Sequence, residues 1–218
     1  WDKKPLSDLT EIVNGSTPSR NNALLWDGDI RWLTPTDLSM PEEGIDEVYE
    51  TTETITESGL ESCSATLLPP GTVMFSSRAS IGKIGIARRK MATNQGFKSF
   101  IPGTDLNSVY LANALRACTP AIEQIAGGTI YKEISTTAIG EFEIPVPPMN
   151  AQKDFAYKVQ SLRSVEEICN KSQEILSTLF DVLLHRAING QLTNAWRTTR
   201  MATLKTEQTE QLQALGLQ

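Results

Sequence analysis

The stretch IPVPPMN, residues Ile144–Asn150, divides the sequence into two parts of different character. Its three prolines exclude a helix interior, because proline lacks an amide hydrogen and disfavours helical backbone in the residue before it. On the amino-terminal side, short apolar runs are broken by Gly, Pro, Asn and Asp, as is typical of strands and turns. On the carboxyl-terminal side, neither Pro nor Gly occurs between Ala151 and Ile188. The stretch therefore predicts an extended connector between a β-rich part and one long helix.

The segment from Ala151 to Ile188 is predicted to form a single helix, on the order of 57 Å long at about 1.5 Å per residue. Gly190 offers a residue at which it can end. Apolar residues alternate in steps of three and four, which is the heptad spacing of a coiled-coil seam. A helix folded back on its own domain is the alternative, but a seam this long favours a partner helix, contacted through Leu162, Val165, Cys169, Leu176, Leu179 and Leu183.

The predicted fold class is α+β, with a β-rich globular domain followed by a single long coiled-coil-type helix. The expected divisions are residues 1–150 for the domain, 151–193 for the helix, and 194–218 for a polar extension that is weakly helical or loosely ordered. Within the domain, apolar spacing after Asp105 predicts one helix that ends near Pro120, followed by a second short amphipathic piece.

Composition argues against several classes of protein. No apolar run approaches the roughly 18 residues of a membrane span, and no secretory signal opens the sequence, so a cytoplasmic location is expected. Cys63, Cys118 and Cys169 are too far apart for a paired-cysteine metal site and are predicted to be ordinary core residues. The single histidine, His185, has no ligand-type neighbours at metal spacing. Since nucleotide-phosphate and dinucleotide motifs are also missing, neither catalysis nor a bound metal or cofactor is predicted.

Charge is unevenly distributed along this chain, whose formal net charge is -6. Residues 41–61 hold eight acids and no Lys or Arg, whereas residues 62–104 hold six bases and no acid. Such asymmetry suggests a positive face for a polyanion. The alternative is that both blocks are solvated surface whose charges mix in the folded protein.

Three turn-prone segments hold the groups that proteins use to contact DNA. They lie at residues 14–22, 76–98 and 127–135, and they combine Arg and Lys with Ser, Thr, Asn, Gln and Tyr. Phosphates are bound by Arg, Lys, Ser and Thr, while bases are read by Arg on guanine and by Asn or Gln on adenine. These segments are therefore predicted to form a DNA-contacting surface on a strand scaffold.

Seven motifs occur in one order along residues 1–193. They are NGSTPSR, WDGDIRWLTPTDL, LLPPGTVMFSSRASIGKIGIA, TNQGFKSFIP, GGTIYKEIS, IPVPPMNAQKDFA and LLHRAINGQLT. In this series the sequence resembles one half of the DNA-specificity subunit of a type I restriction-modification system, namely one target recognition domain followed by one long conserved helix. Each motif alone is a weak signal, but the ordered series is specific.

The resemblance implies a non-catalytic reader of double-stranded DNA. Subunits of this family typically contain two recognition domains held apart by antiparallel helices, which set the spacer between half-sites and bind methyltransferase subunits. The resemblance places S-adenosylmethionine on those partners and ATP on a restriction subunit, with no cofactor on this chain. With one domain and one helix, the chain is expected to be either a fragment or a half-subunit that forms a homodimer through the helix.

Carried over by position, the resemblance and the three segments predict one DNA-facing set. Its members are Ser16, Thr17, Arg20, Arg78, Lys83, Arg88, Arg89, Lys90, Asn94, Gln95, Lys98, Thr129, Tyr131 and Lys132. Trp26, Trp32 and Phe97 are predicted to belong to the core rather than to stack on bases. The competing hypothesis is a non-catalytic scaffold protein that uses the helix for assembly and does not read DNA.

Overall fold

The computed structural model describes residues 1–40, 44–78, 80–127 and 133–216. They belong to two compact units, Trp1–Val159 and Gln160–Gln218. The strands are β1 (Lys3–Pro5), β2 (Thr10–Asn14), β3 (Trp26–Leu33), β4 (Ile45–Val48), β5 (Glu53–Ile55), β6 (Val73–Ser76), β7 (Ile84–Ala87), β8 (Met91–Thr93), β9 (Phe97–Pro102) and β10 (Glu143–Pro145). The α-helices are α1 (Leu6–Leu9), α2 (Glu57–Glu61), α3 (Ser108–Gln124), α4 (Thr136–Gly140), α5 (Met149–Ile188) and α6 (Asn194–Ala214).

The strands form two main sheets and a small pair. One sheet has the order β2-β9-β6-β7-β4, in which only the β4–β7 pair is parallel; the other has the order β5-β3-β8, with β3 and β8 parallel. Strands β1 and β10 pair beside them. This arrangement, followed by a long helix, confirms the predicted α+β class.

Alternating side chains of the five-stranded sheet place apolar groups on both of its faces. Val73 and Phe75 pack with α3, while Met74, between them in sequence, belongs to a second apolar cluster with Leu33 and Met91 of the three-stranded sheet. On the β3-β5-β8 sheet, a third cluster contains Trp32, Ile55 and Ala92. Trp32 and Phe97 are almost fully buried, as predicted, whereas Trp26 is half-buried.

The prediction that the helix after Asp105 ends near Pro120 is wrong. The helix continues through the proline to Gln124. Proline removes one helical amide hydrogen, but Leu115 and Ile122 on either side of it are fully buried in the core, and the Thr119 hydroxyl donates to the Leu115 carbonyl at 2.9 Å. Tertiary burial of this face therefore outweighs the local cost of the proline.

The amino-terminal turn of α5 is fixed to the globular unit by one buried amide. Gln152 is fully buried; its Oε1 accepts from the Asn107 amide at 2.8 Å, and its Nε2 donates to the carbonyls of Asp105 and Pro147. Phe155, one turn later, packs edge-to-face on Tyr110 with ring centroids 5.9 Å apart. The predicted long helix is thus found, starting at Met149, two residues before the predicted Ala151.

Residues 160–216 consist of the rest of α5, a short turn and α6. Gly190 has φ of +65°, a left-handed conformation that glycine adopts without strain, and α5 ends just before it. The extension, predicted as weak or loose, forms the 21-residue helix α6. The seam residues are exposed, and none of the described helices is long and apolar enough to cross a membrane.

Of the three cysteines predicted to lie in the core, Cys118 packs against the main core cluster, whereas Cys169 does not match the prediction. Cys63 and Cys118 are half-buried and Cys169, on the α5 seam, is exposed. Burial raises the pKa of the Cys118 thiol. All three are free thiols.

Candidate nucleic-acid interface

Four loops meet at one end of the main sheet. We call them the loop cluster: residues 15–22 after β2, 77–78 and 80–83 between β6 and β7, 94–96 between β8 and β9, and 133–135 before α4. Backbone hydrogen bonds join them. The Ser16 amide donates to the Thr93 carbonyl at 2.9 Å, the Ser77 amide to the Gly96 carbonyl at 2.7 Å, and the Ile134 amide to the Ser77 carbonyl at 3.1 Å. The three segments predicted from sequence to contact DNA therefore each contribute to this cluster.

Gly15 lets the first loop approach the β8–β9 turn. A Cβ at this position would lie 2.0 Å from the Asn94 carbonyl oxygen and 2.4 Å from that of Thr93. Real Cβ atoms do not come so close to backbone, so the contact between the two loops requires glycine here. The glycine in the NGSTPSR motif thus has a packing role.

The β8–β9 turn is held on both sides. The Asn94 amide donates to the Leu33 carbonyl at 3.0 Å, and Asn94 Oδ1 accepts from the Gly96 amide at 2.9 Å. The Ser77 hydroxyl donates to the Gly96 carbonyl at 3.2 Å. Gln95, at the tip, is exposed, and the Thr17 hydroxyl donates to its Oε1. The turn presents one amide side chain from a fixed backbone.

Residues 15–22 lie over the indole rings of Trp26 and Trp32, whose Nε1 groups donate to the carbonyls of Ser19 and Ser16 at 3.1 and 3.0 Å. The Arg20 guanidinium lies 3.8 Å from the Trp26 ring centroid and pairs with both carboxylate oxygens of Glu53. The hydrogen bonds between them raise the pKa of Arg20 and lower that of Glu53. Arg20 is exposed, yet its charge is offset by this carboxylate.

A second arginine–carboxylate pair lies at residues 78 and 133. Arg78 Nη2 is 2.7 Å from Glu133 Oε1, and the two residues also form a β-bridge. Nearby, Lys98 is only 6% exposed and its Nζ donates to Asn14 Oδ1 at 2.8 Å. Burial lowers the pKa of Lys98, an effect opposed by the charge of Glu133. Lys98 was predicted to face DNA, but its side chain is buried beneath the loops.

Lys83 also departs from its predicted place on an open surface. Its Nζ donates to the carbonyls of Pro35 and Leu38, each at 2.8 Å, and the residue is half-buried. Ser76 beside it is fully buried; its hydroxyl donates to the Ser80 carbonyl and accepts from the Lys83 amide. These groups hold residues 80–83 in place rather than pointing outward.

Arg88, Arg89 and Lys90, which we call the charged turn, lie away from the loop cluster. The turn joins the end of β7 to the start of β8, whereas the loop cluster adjoins the other ends of both strands. Arg88 pairs with Glu47, and Glu50 pairs with Arg89 at 3.3 Å. The predicted DNA-facing residues thus lie in two groups, at opposite ends of β7 and β8.

The separate positive face predicted from the charge blocks is wrong. Glu50, which contacts Arg89, also accepts two hydrogen bonds from Arg31, at 2.8 and 2.9 Å. The hydrogen bonds from Arg31 lower the pKa of Glu50. Parallel pairing of β4 with β7 brings the acidic block alongside the basic one. The charges mix on folding, which is the alternative stated above.

The structure brings together Ser16, Thr17, Arg20, Arg78, Asn94 and Gln95 at the loop cluster. Thr129, Tyr131 and Lys132 lie outside the described residues. The sequence interpretation missed Asn14, whose Oδ1 accepts from Lys98 and from the Thr136 hydroxyl at 2.9 Å, and the carboxylates of Glu53 and Glu133. The signal that could have identified Asn14 was its position directly before the turn at Gly15. Among the described residues, no group of three or more His, Cys, Asp or Glu side chains is placed to hold a metal ion.

Comparison with known families gives one match over most of the chain. Residues 1–193 match the family model of the type I restriction modification DNA specificity domain. A specificity subunit of the type I restriction enzyme MjaIX from Methanocaldococcus jannaschii is 34% identical over 82% of this chain and 41% of its own length. The HindI specificity subunit from Haemophilus influenzae is 26% identical over 88% and 42%. The chain thus spans about two fifths of the length of these relatives.

Solved structures share the fold. The HsdS subunit from Thermoanaerobacter tengcongensis superposes with a TM-score of 0.59 at 18% identity, covering 79% of this chain and 40% of that one. The type I restriction-modification S subunit from M. genitalium superposes with a TM-score of 0.55 at 18% identity, covering 91% and 48%. At this identity the similarity establishes the fold alone.

Proposed function

Because the chain belongs to the family of type I restriction modification DNA specificity domains, we propose that it recognises a short sequence in double-stranded DNA for a restriction-modification complex. The match over residues 1–193 carries the proposal, since it spans both the loop cluster and the long helix. In this proposal the chain reads one half of a split target. It performs no catalysis itself.

The loop cluster is the surface we propose for DNA contact. It presents hydroxyl, amide and guanidinium groups on a backbone that several interloop hydrogen bonds hold in place. Base readout depends on positioned donors and acceptors, so a fixed set of polar loops suits it. The carboxylates of Glu53 and Glu133, paired with Arg20 and Arg78, lower the net positive charge of this surface. A lower positive charge favours sequence readout over tight nonspecific binding.

Helix α5 is the element we propose for partner binding. Its seam residues Leu162, Val165, Leu176, Leu179 and Leu183 are between 43% and 65% exposed. A stripe of large apolar side chains at heptad spacing is stabilised by pairing with another helix. We propose that a second copy of this chain supplies that helix and that methyltransferase subunits bind the resulting pair.

The chemistry of the complex is assigned to the partners. S-adenosylmethionine would bind the methyltransferase subunits and ATP the restriction subunit, with this chain selecting the site. Because the complex would act on cellular DNA, we propose that it is located in the cytoplasm. In this scheme the chain needs no cofactor of its own.

DNA recognition can be tested with the chain purified together with its methyltransferase subunit. Binding to random-sequence duplex selections should enrich one motif, and affinity for that motif should fall steeply as salt rises. Enrichment of no motif, with no duplex binding at low salt, would contradict the proposal and favour a scaffold role.

Pairing through α5 can be tested by light scattering on the chain and on Leu176→Glu/Leu179→Glu. We expect a dimer for the unchanged chain and a monomer for the variant, because two carboxylates in the seam would be desolvated on pairing. Thr206→Glu/Gln208→Glu on exposed α6 positions matches the charge change and should leave the dimer intact. A concentration-independent monomer of 24.0 kDa for the unchanged chain would exclude homodimerisation.

A further inference from the structure

We propose that Gln95 reads the major-groove edge of an adenine and that Thr17 is the positioning residue for its amide. This inference rests on the proposed DNA-reading function and assigns base specificity to one side chain of the loop cluster. Neither residue is charged, and neither stands out in the charge distribution of the sequence.

Gln95 combines an exposed side chain with a constrained backbone. The residue before it is tied to Leu33 and the residue after it to Ser77, in each case through backbone hydrogen bonds of 3.0 Å or less. Asn94 turns its own amide oxygen back onto the Gly96 amide. The turn therefore directs a single side chain outward, and little conformational freedom of the backbone is lost when it contacts a base.

The Thr17 contact determines which groups the Gln95 amide can offer. With Oε1 accepting from the Thr17 hydroxyl, one lone pair of Oε1 and both hydrogens of Nε2 are left for a ligand. An acceptor beside a donor matches adenine, which presents the N6 amino donor next to the N7 acceptor. Guanine presents two acceptors at the same place, O6 and N7, so it would oppose the Gln95 oxygen.

Four other polar side chains in or next to the cluster are more heavily engaged. Arg20 and Arg78 each pair with a carboxylate, Lys98 is buried, and Asn14 Oδ1 accepts two hydrogen bonds. Contact with a base through either arginine would compete with its ion pair. Gln95 needs no such exchange, because its contact with Thr17 is compatible with a bidentate pair to adenine.

The test is selection from a random duplex library by the complex of this chain with its methyltransferase subunit. For the unchanged chain we expect one position of the enriched half-site to require adenine. Gln95→Ala should lower discrimination at that position by about 10- to 100-fold and leave the other positions unchanged. Gln95→Glu, which can only accept, should shift the preference there to cytosine, whose N4 amino group is a donor.

Thr17 is tested by two substitutions of similar size. Thr17→Val removes the hydroxyl and should weaken the adenine preference several-fold without replacing it by another base. Thr17→Ser keeps the hydroxyl and should restore the preference. A purely structural role for Thr17 would instead lower affinity for all sequences together, and rescue by serine would not be confined to one position.

Gln208→Glu on α6 is the matched control, since it makes the same charge change at an exposed site to which no function is assigned. Its enriched motif should equal that of the unchanged chain. If the unchanged chain enriches no motif, the proposed function fails. If it enriches a motif that Gln95→Ala and Gln95→Glu leave unaltered at every position, DNA reading stands and the assignment to Gln95 is overturned.

Discussion

The two ends of strands β7 and β8 use polar side chains differently. At the loop cluster, backbone hydrogen bonds fix the loops and an uncharged amide points outward. At the charged turn, Arg88 and Arg89 lie against Glu47 and Glu50. Arginines pair with carboxylates at both ends, as Arg20 and Arg78 do at the loop cluster, so a high density of basic residues in the sequence does not by itself mark the DNA-reading end. The end that we propose for sequence readout is the one whose loops are joined by backbone hydrogen bonds.

The largest effect is expected from adding a side chain at Gly15, where the first loop contacts the β8–β9 turn. Gly15→Ala would force its Cβ against the carbonyls of Thr93 and Asn94 and separate the first loop from the β8–β9 turn. If strain of roughly 2–3 kcal/mol must be overcome to form the binding surface, DNA affinity falls on the order of 100-fold. Fluorescence anisotropy with the selected duplex measures the change.

Gly140→Ala is the control for that substitution, because its Cβ would meet Ile12 and Ser7 at ordinary distances of 3.5 and 3.6 Å. It should retain DNA affinity. Equal affinity for both variants and the unchanged chain would show that contact between the two loops is unimportant for recognition.

A second effect concerns Asp37, at the loop-cluster end of β3. Its carboxylate accepts from the Thr34 amide and hydroxyl at 2.8 Å and from the Thr52 amide at 3.0 Å. Burial raises the pKa of Asp37, but these hydrogen bonds lower it by more, so the folded pKa lies below the ordinary 3.8. The stabilisation is present above about pH 4 and is lost as pH falls through the folded pKa.

Asp37→Asn should therefore reduce the free energy of unfolding by about 1–2 kcal/mol at pH 7 and by less at pH 3. Urea unfolding at the two pH values measures both differences. A loss that is the same at pH 3 and pH 7 would show that the ionised carboxylate is not the stabilising form.

A smaller effect separates two buried serines. The Ser77 hydroxyl donates to Gly96, whereas Ser99 Oγ is the one buried side-chain oxygen or nitrogen of the described residues that has no hydrogen-bond partner. Ser77→Ala should cost about 1 kcal/mol of stability, while Ser99→Ala should be neutral or stabilising by up to about 1 kcal/mol. Thermal unfolding compares the two. Destabilisation by both to the same extent would contradict the assigned contacts.

The smallest effect is expected at the charged turn. Removing an arginine that contacts phosphate lowers the salt slope of binding by about 1, so Arg88→Ala/Arg89→Ala should change it by much less than about 1 if those side chains serve Glu47 and Glu50. Affinity should change by less than about threefold. Glu50→Gln releases Arg31 and Arg89 and is the reciprocal variant. A marked rise in affinity for Glu50→Gln would place this turn near DNA after all.

The sequence predicted what depends on local rules. Helix α5 was recognisable because no Pro or Gly interrupts it and Gly190 follows it. The loops at residues 15–22, 77–83 and 94–96 were recognisable from their small and polar residues. Their convergence follows from strand order, which the sequence alone does not reveal.

Non-local contacts explain what the sequence did not predict. The pairing of Glu47 with Arg88 depends on β4 lying parallel to β7, and no local pattern encodes that neighbour. Burial of Ile122 carries α3 through Pro120 against the local preference. The role of Gln95 depends on Thr17, 78 positions away in sequence, so it appears only in three dimensions.

Hydrogen exchange of the chain in complex with its methyltransferase subunit, with and without the selected duplex, tests the central claim most directly. Binding through the loop cluster predicts slower exchange in residues 15–22 and 94–97 and little change in residues 88–90. Slower exchange at residues 88–90 with none at the loops would contradict the account.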